Sequence, residues 1–195
     1  KYFCDHGMAH RRGTGFKTDP FLPPERRTRH RESRMRRAAV SNDLPMLGVF
    51  ILAVIAVSVA GGMITASSIP DWYQSLAKPS WTPPNWLFGP AWTVLYFLMA
   101  IAAWLIWRRR RLAPVQAALA VWWVQLALNF LWTLLFFGLR QPLAALVEIA
   151  VLWIAILVTI VLFYRARPSA ALLLLPYIAW VSFAASLNAG ILALN

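Results

Sequence analysis

The chain is short of the residues that most soluble chemistry requires. Of 195 residues one is cysteine, Cys4, so neither an intrachain disulfide nor a thiolate cluster can form, and nothing follows about redox compartment. The three histidines, His6, His10 and His30, all lie near the start, which leaves the remainder with no His or Cys to bind a metal or an axial haem position. Acids are scarce too: beyond Asp43 only Asp71 and Glu148 occur. There is no Gly-rich phosphate loop, no G-x-S-x-G elbow and no H-E-x-x-H pair, so hydrolases, kinases and metalloenzymes find no support. A charge-lined pore or gating-charge helix is absent as well.

What remains is apolar. The chain is 60% hydrophobic and 13% charged, yet its net charge is +12, and the two facts separate along the sequence. Eleven of the 19 Lys and Arg precede Val40. A basic head therefore precedes an almost uncharged body whose apolar runs are those of a membrane protein. The head, 1–43, reads as a disordered basic N-terminal extension. Its "RRTRHRESRMRR" has the composition of an anionic-lipid or nucleic-acid binder, but a solvated tail that sets topology is the simpler account, and no nucleic-acid partner is expected. The apolar run after it is of full span length, so the head does not read as a signal peptide.

Five segments are long enough to cross a bilayer, near residues 44–66, 86–107, 115–137, 142–164 and 170–194. The connectors "RRRRLAP", "GLRQ" and "RARPS" are short enough to be tight turns between antiparallel helices. The predicted fold is an all-α membrane protein, a bundle of five transmembrane helices making one domain over 44–195, with the lipid bilayer as its first partner. Seventeen cations fall on the side of the N-terminus and two, Lys78 and Arg140, on the other, which predicts a cytoplasmic N-terminus. The expected location is a bacterial cell membrane, with multiple passes.

Span parity gives depth. At about 1.5 Å per residue, Trp92, Glu148 and Asn188 lie about 9 Å below the outer face, Asn129 about 12 Å and Trp132 about 8 Å. Phe88, Trp92 and Tyr96 share one helical stripe; Trp122, Gln125, Asn129 and Trp132 form a second, and Tyr177, Trp180, Ala184 and Asn188 a third. Amides and acids avoid lipid, so these stripes should face the bundle interior. Trp81, Trp86 and Trp107, near span ends, fit an interfacial belt more readily than a ligand contact. Asn129 and Asn188 fit interhelical hydrogen bonding as readily as a binding role. Glu148 differs, because an ionisable group at that depth is costly and function is its default reading. Pro176 removes a backbone donor and predicts a kink close to Tyr177 and Trp180.

Over this polar half runs "WYQSLAKPSWTPPNWLFGPAW", Trp72 to Trp92, with four Trp and four Pro. Prolines stiffen such a loop and hold its rings in place. It reads as the roof of an aromatic, sparsely polar pocket suited to a large flat apolar ligand.

The segments "WYQSLAKPSWTPPNWLFGPAWTVLY", "QLALNFLWTLLFFG", "ALVEI" and "PYIAWVSFAASLN" resemble the translocator protein/tryptophan-rich sensory protein family, also called the peripheral benzodiazepine receptor family, across all five spans. The resemblance implies a five-helix bundle, commonly a homodimer, whose pocket binds a porphyrin (protoporphyrin IX or haem) as ligand, with no required cofactor and no metal site of its own. It implies a sensor or regulator of porphyrin metabolism and stress. A porphyrin transporter and a light-dependent porphyrin-degrading protein are the alternatives. The Trp pair tied to degradation in the family, catalytic if that reaction occurs, matches Trp92 and Trp180. Its pocket contacts match Tyr73, Trp81, Trp86, Tyr96, Asn129 and Ala184, and its fourth-helix acid matches Glu148. Asn188 joins the expected ligand-binding set from its depth. The sterol pattern of animal members is broken here, since Ala189 stands at the aromatic position and no cation follows in "LNAGILALN". For degradation, no acid–base pair or metal site backs a turnover mechanism. For transport, no internal repeat or matched pair of broken helices is visible. Small residues at Ser58, Gly62 and Ala66, and at Ala113 and Ala117, allow close helix approach in a dimer or within one bundle.

Overall fold

The computed structural model describes residues 43–195, and the basic extension expected over 1–43 lies outside the described residues except for Asp43. Helix α1 spans Leu44–Ser68 with Pro45 in its first turn, where a missing N–H costs nothing. It does not stop near Ala66. It continues as a π turn, Ile69–Tyr73, closed by the Gln74 N–H on the Ile69 carbonyl. Pro70 cannot donate to the ladder, and the widened turn absorbs it without ending the helix. The first span is longer than its polar end suggested.

Gln74 and Ser75 complete the helix, and residues 76–84 form the Trp–Pro loop. A 3-10 turn, Asn85–Leu87, leads into α2, Phe88–Trp107, and α3 spans Gln116–Thr133. A second π turn, Leu134–Gly138, extends α3, with the Leu139 N–H on the Leu134 carbonyl. The chain then reverses through Arg140, whose φ of 57° puts a side-chain-bearing residue in the left-handed region at about 1–2 kcal/mol. Helix α4 spans Pro142–Ala166. The fifth span is broken in two, α5 over Pro168–Leu172 and α6 over Leu175–Leu194. The break falls just ahead of Pro176, whose ring would collide with the carbonyl one turn back.

Among the described residues these elements make five helical spans, each long and apolar enough to cross a membrane, and the protein is an integral, multi-pass membrane protein. Packing neighbours run α1, α2, α5 with α6, α4, α3 and back to α1. Met99, Ala100, Ala102, Ala103 and Ile106 of α2 are fully buried, their mostly small side chains allowing close helix approach. Only four of the 25 residues of α1 are buried, so most of that helix lies on the outside of the bundle or on the cavity. At the end carrying the arginine run, the Arg110 guanidinium donates to the Asp43 carboxylate at 2.6 Å and the Trp104 indole donates to the Asp43 carbonyl at 3.0 Å. These bonds pin the start of α1 to the end of α2.

At the opposite end the Trp–Pro loop is held against α6. The Asn195 side-chain amide both donates to and accepts from the Ala77 backbone, each at 3.0 Å. A Cβ at Gly190 would lie 2.5 Å from Pro79 Cγ, so only glycine allows this approach. Gly190→Ala is expected to lift the loop and cost about 1–3 kcal/mol, the range for overpacking a fitted contact. Faster chymotryptic cleavage after Trp81 in the variant would register it. Unchanged cleavage would mean that the loop is not held there.

Candidate ligand cavity

A cavity of about 370 Å³ opens between α1, α2, α3 and α6; Tyr73 and Asn85, at the two ends of the loop, line it, and the loop residues between them do not. Its α1 wall is made of small residues, Ser58, Gly61, Gly62, Thr65 and Ala66. A Cβ at Gly62 would meet nothing within 4 Å, whereas one at Gly61 would touch Thr133 Cγ2 at 3.5 Å, so the stripe leaves room at Gly62 and packs on α3 at Gly61. Opposite stand Phe88, Trp92 and Tyr96, the α2 stripe. Trp132 and Phe137 contribute from α3 and its π turn, and Trp180 and Ala184 from α6. Tyr73 reaches the cavity because the π turn carries it past the point where α1 would have ended.

The aromatic rings pack against one another in edge-on and tilted pairs. Trp92 lies 5.4 Å from Tyr96 and 6.2 Å from Tyr177, while Trp180 lies 5.9 Å from Phe88 and 5.7 Å from Phe183, centroid to centroid. Trp132 stacks on Phe136 at 5.4 Å. No lining residue carries a charge. The polar groups are hydroxyls from Ser58, Thr65, Thr93, Thr133 and the two tyrosines, one amide from Asn85, and the indole N–H groups of Trp92, Trp132 and Trp180. Such walls favour an apolar, planar guest through contact area and ring contacts. Above them Lys78 Nζ sits 4.8 Å from the Tyr73 ring centroid and donates to the Gln74 and Leu76 carbonyls.

The residues singled out from sequence divide three ways. Tyr73, Trp92, Tyr96, Trp180 and Ala184 line the cavity. Asn129, Glu148 and Asn188 are buried behind it and do not line it. Asn129 acts through its neighbours: it accepts from the Tyr96 hydroxyl at 2.6 Å and its amide lies 3.3 Å from the Tyr177 oxygen, fixing the ring that lines the wall. Trp81 and Trp86 are 58% and 71% exposed and do not line this cavity. Trp81 sits against α6, its ring 3.6 Å from where a Cβ at Gly190 would lie. Tyr177, on the same α6 stripe as Trp180, is fully buried, its ring 6.2 Å from that of Trp92. The α1 wall was missed because small residues in a span read as packing. Among the described residues no group of three His, Cys, Asp or Glu is placed to hold a metal.

A sequence profile of the TspO/MBR family matches residues 50–194, from the first span to the last. The chain is 50% identical over 145 residues to the tryptophan-rich protein TspO of Archaeoglobus fulgidus, covering 74% of this chain and 94% of that one. It is 37% identical over 153 residues to the tryptophan-rich sensory protein of Cereibacter sphaeroides, covering 78% and 93%. With the human translocator protein it shares 42% identity over 119 residues, covering 60% and 70%. Five spans, the matched length and these identities agree: the chain belongs to the TspO/MBR family.

Proposed function

We propose that the protein is a membrane sensor or regulator that binds a tetrapyrrole, protoporphyrin IX or haem, in the cavity under the Trp–Pro loop. The observation that carries this reading is the lining itself: uncharged, rich in rings, about 370 Å³ in volume, and served by three indoles, Trp92, Trp132 and Trp180. A flat macrocycle gains stacking from such rings, and its acidic edge finds a cation in Lys78 at the loop. With no His or Cys after residue 43, recognition rests on the macrocycle's faces more than on an axial imidazole or thiolate bond. A relative's designation as a sensory protein fits this role. Beside the cavity Tyr96, Asn129 and Tyr177 form a buried hydrogen-bonded layer.

Titrating protoporphyrin IX into the detergent-purified protein should give saturable quenching of tryptophan fluorescence at micromolar or lower concentration. Absence of saturable quenching in folded protein would remove the tetrapyrrole reading. Flux of labelled porphyrin into proteoliposomes, dependent on the protein, would move the function to transport.

Light-dependent porphyrin breakdown is a second reading, favoured by Trp92 and Trp180 facing the same space.

A further inference from the structure

Behind the cavity, three buried polar side chains lie at one depth on three adjacent spans. The Trp153 indole of α4 donates to the Ser182 hydroxyl of α6 at 2.9 Å, which fixes the relative height of these antiparallel helices. Five residues back along α4 stands Glu148, and six forward along α6 stands Asn188, steps of about 7.5 and 9 Å in the same direction. On the other side α3 and α4 are joined by the tight turn through Arg140. Trp132 precedes the end of the π turn at Gly138 by six residues, and Glu148 follows Pro142 by six. Helix α4 packs on both α3 and α6.

All three side chains face inward: Trp132 is 9% exposed, Glu148 7% and Asn188 1%. Among the described residues none of their polar atoms has a hydrogen-bond partner: the Trp132 indole N–H, both Glu148 oxygens, and both the oxygen and the nitrogen of the Asn188 amide. The inventory is complementary, since the indole and amide supply donors and the carboxyl supplies acceptors. Buried polar groups left unpaired cost about 1–3 kcal/mol each, and groups too far apart for a direct bond are commonly bridged by water. An ionised carboxylate with no counter-ion here would add a further cost of about 3 kcal/mol or more. On the elements packed against α4, the other titratable or charged side chains are Tyr177, whose hydroxyl is engaged with Asn129, and Arg140 and Arg167 near helix ends; α4 itself ends in Tyr164 and Arg165. None supplies a cation at this depth.

We propose that Glu148, Asn188 and Trp132 form a buried polar site that binds water and holds one exchangeable proton on the Glu148 carboxyl. The neutral acid supplies a donor as well as an acceptor, and water closes the remaining gaps to the amide and the indole. Trp132 also lines the cavity, so this site borders the ligand space without depending on which ligand that space takes.

Infrared spectroscopy of the full chain in lipid at neutral pH tests this directly. A carboxylic-acid C=O stretch is expected in the parent protein, absent from Glu148→Gln, shifted within minutes in D₂O, and displaced in both Trp132→Phe and Asn188→Leu. Glutamate occurs only at Glu25, Glu32 and Glu148, so carbon-13 labelling of glutamate carboxyls with Glu25→Gln and Glu32→Gln in place assigns the band without touching the site. That arm stands even if Glu148→Gln fails to fold. A glutamate signal that is carboxylate only would overturn the held proton. An acid band that does not exchange over hours would overturn the water, and one unmoved by either neighbour's substitution would overturn the three-residue site.

Discussion

Ala184→Trp is expected to abolish saturable porphyrin quenching, raising the apparent Kd at least ~100-fold, which is about 2.8 kcal/mol at 1.4 kcal/mol per tenfold. Ala184 stands one turn beyond Trp180 on α6 and lines the cavity with only a methyl group. An indole there enters the void and not a filled core, so the usual overpacking cost falls mainly on the ligand and less on the fold. Helical circular dichroism and the detergent melting profile should stay close to the parent. Ala184→Leu should give an intermediate loss, since it removes less of the same space. Parent-like affinity in a folded Ala184→Trp protein would place the porphyrin elsewhere and remove the cavity as its site.

The second large effect concerns light. Under illumination with bound porphyrin, Trp92→Phe and Trp180→Phe are each expected to retain binding within a few-fold while loss of porphyrin absorbance slows by at least ~10-fold. Phenylalanine preserves a ring and most of the contact area, so binding changes little. It removes the indole, the readily oxidised group in either position. The two sites are not equivalent in their surroundings. Trp92 has Tyr96 and Tyr177 as ring neighbours, whereas Trp180 is flanked by Phe88 and Phe183. Oxidising equivalents on Trp92 thus have phenols beside them, and those near Trp180 do not. Equal absorbance loss in the parent and both variants would rule out a photochemical role for these residues and leave binding as their part.

The number of spans and the inward stripes were legible because apolar length and 3-4 spacing are one-dimensional signals. Tyr96, Asn129 and Tyr177 meet as their stripes require, joined through the Asn129 side chain. Other features needed three dimensions. The first apolar run reads as ending near residue 66, and only the structure shows a π turn carrying the helix past Pro70 and delivering Tyr73 to the cavity. Ser58, Gly62 and Ala66 read as packing residues, yet they line the wall that makes space. Trp81 and Trp86 share the composition of the lining tryptophans and differ only in where the loop is seated. That seat depends on Asn195 meeting Ala77 and Gly190 meeting Pro79, contacts more than 100 residues apart that no local pattern announces.

The fastening of the loop to α6 also bears on what a ligand must supply on entry. Fixing a residue's backbone costs about 1–2 kcal/mol of conformational entropy, so ordering the nine loop residues 76–84 is a term on the order of 10 kcal/mol, reduced where proline already restricts the chain. In this protein, the Asn195 amide pair and the Pro79–Gly190 contact set that ordering against folding, before any guest arrives. A guest bound in the proposed cavity would then draw on ring contact and desolvation with little entropy left to surrender at the loop, which is the thermodynamic meaning of a preorganised site.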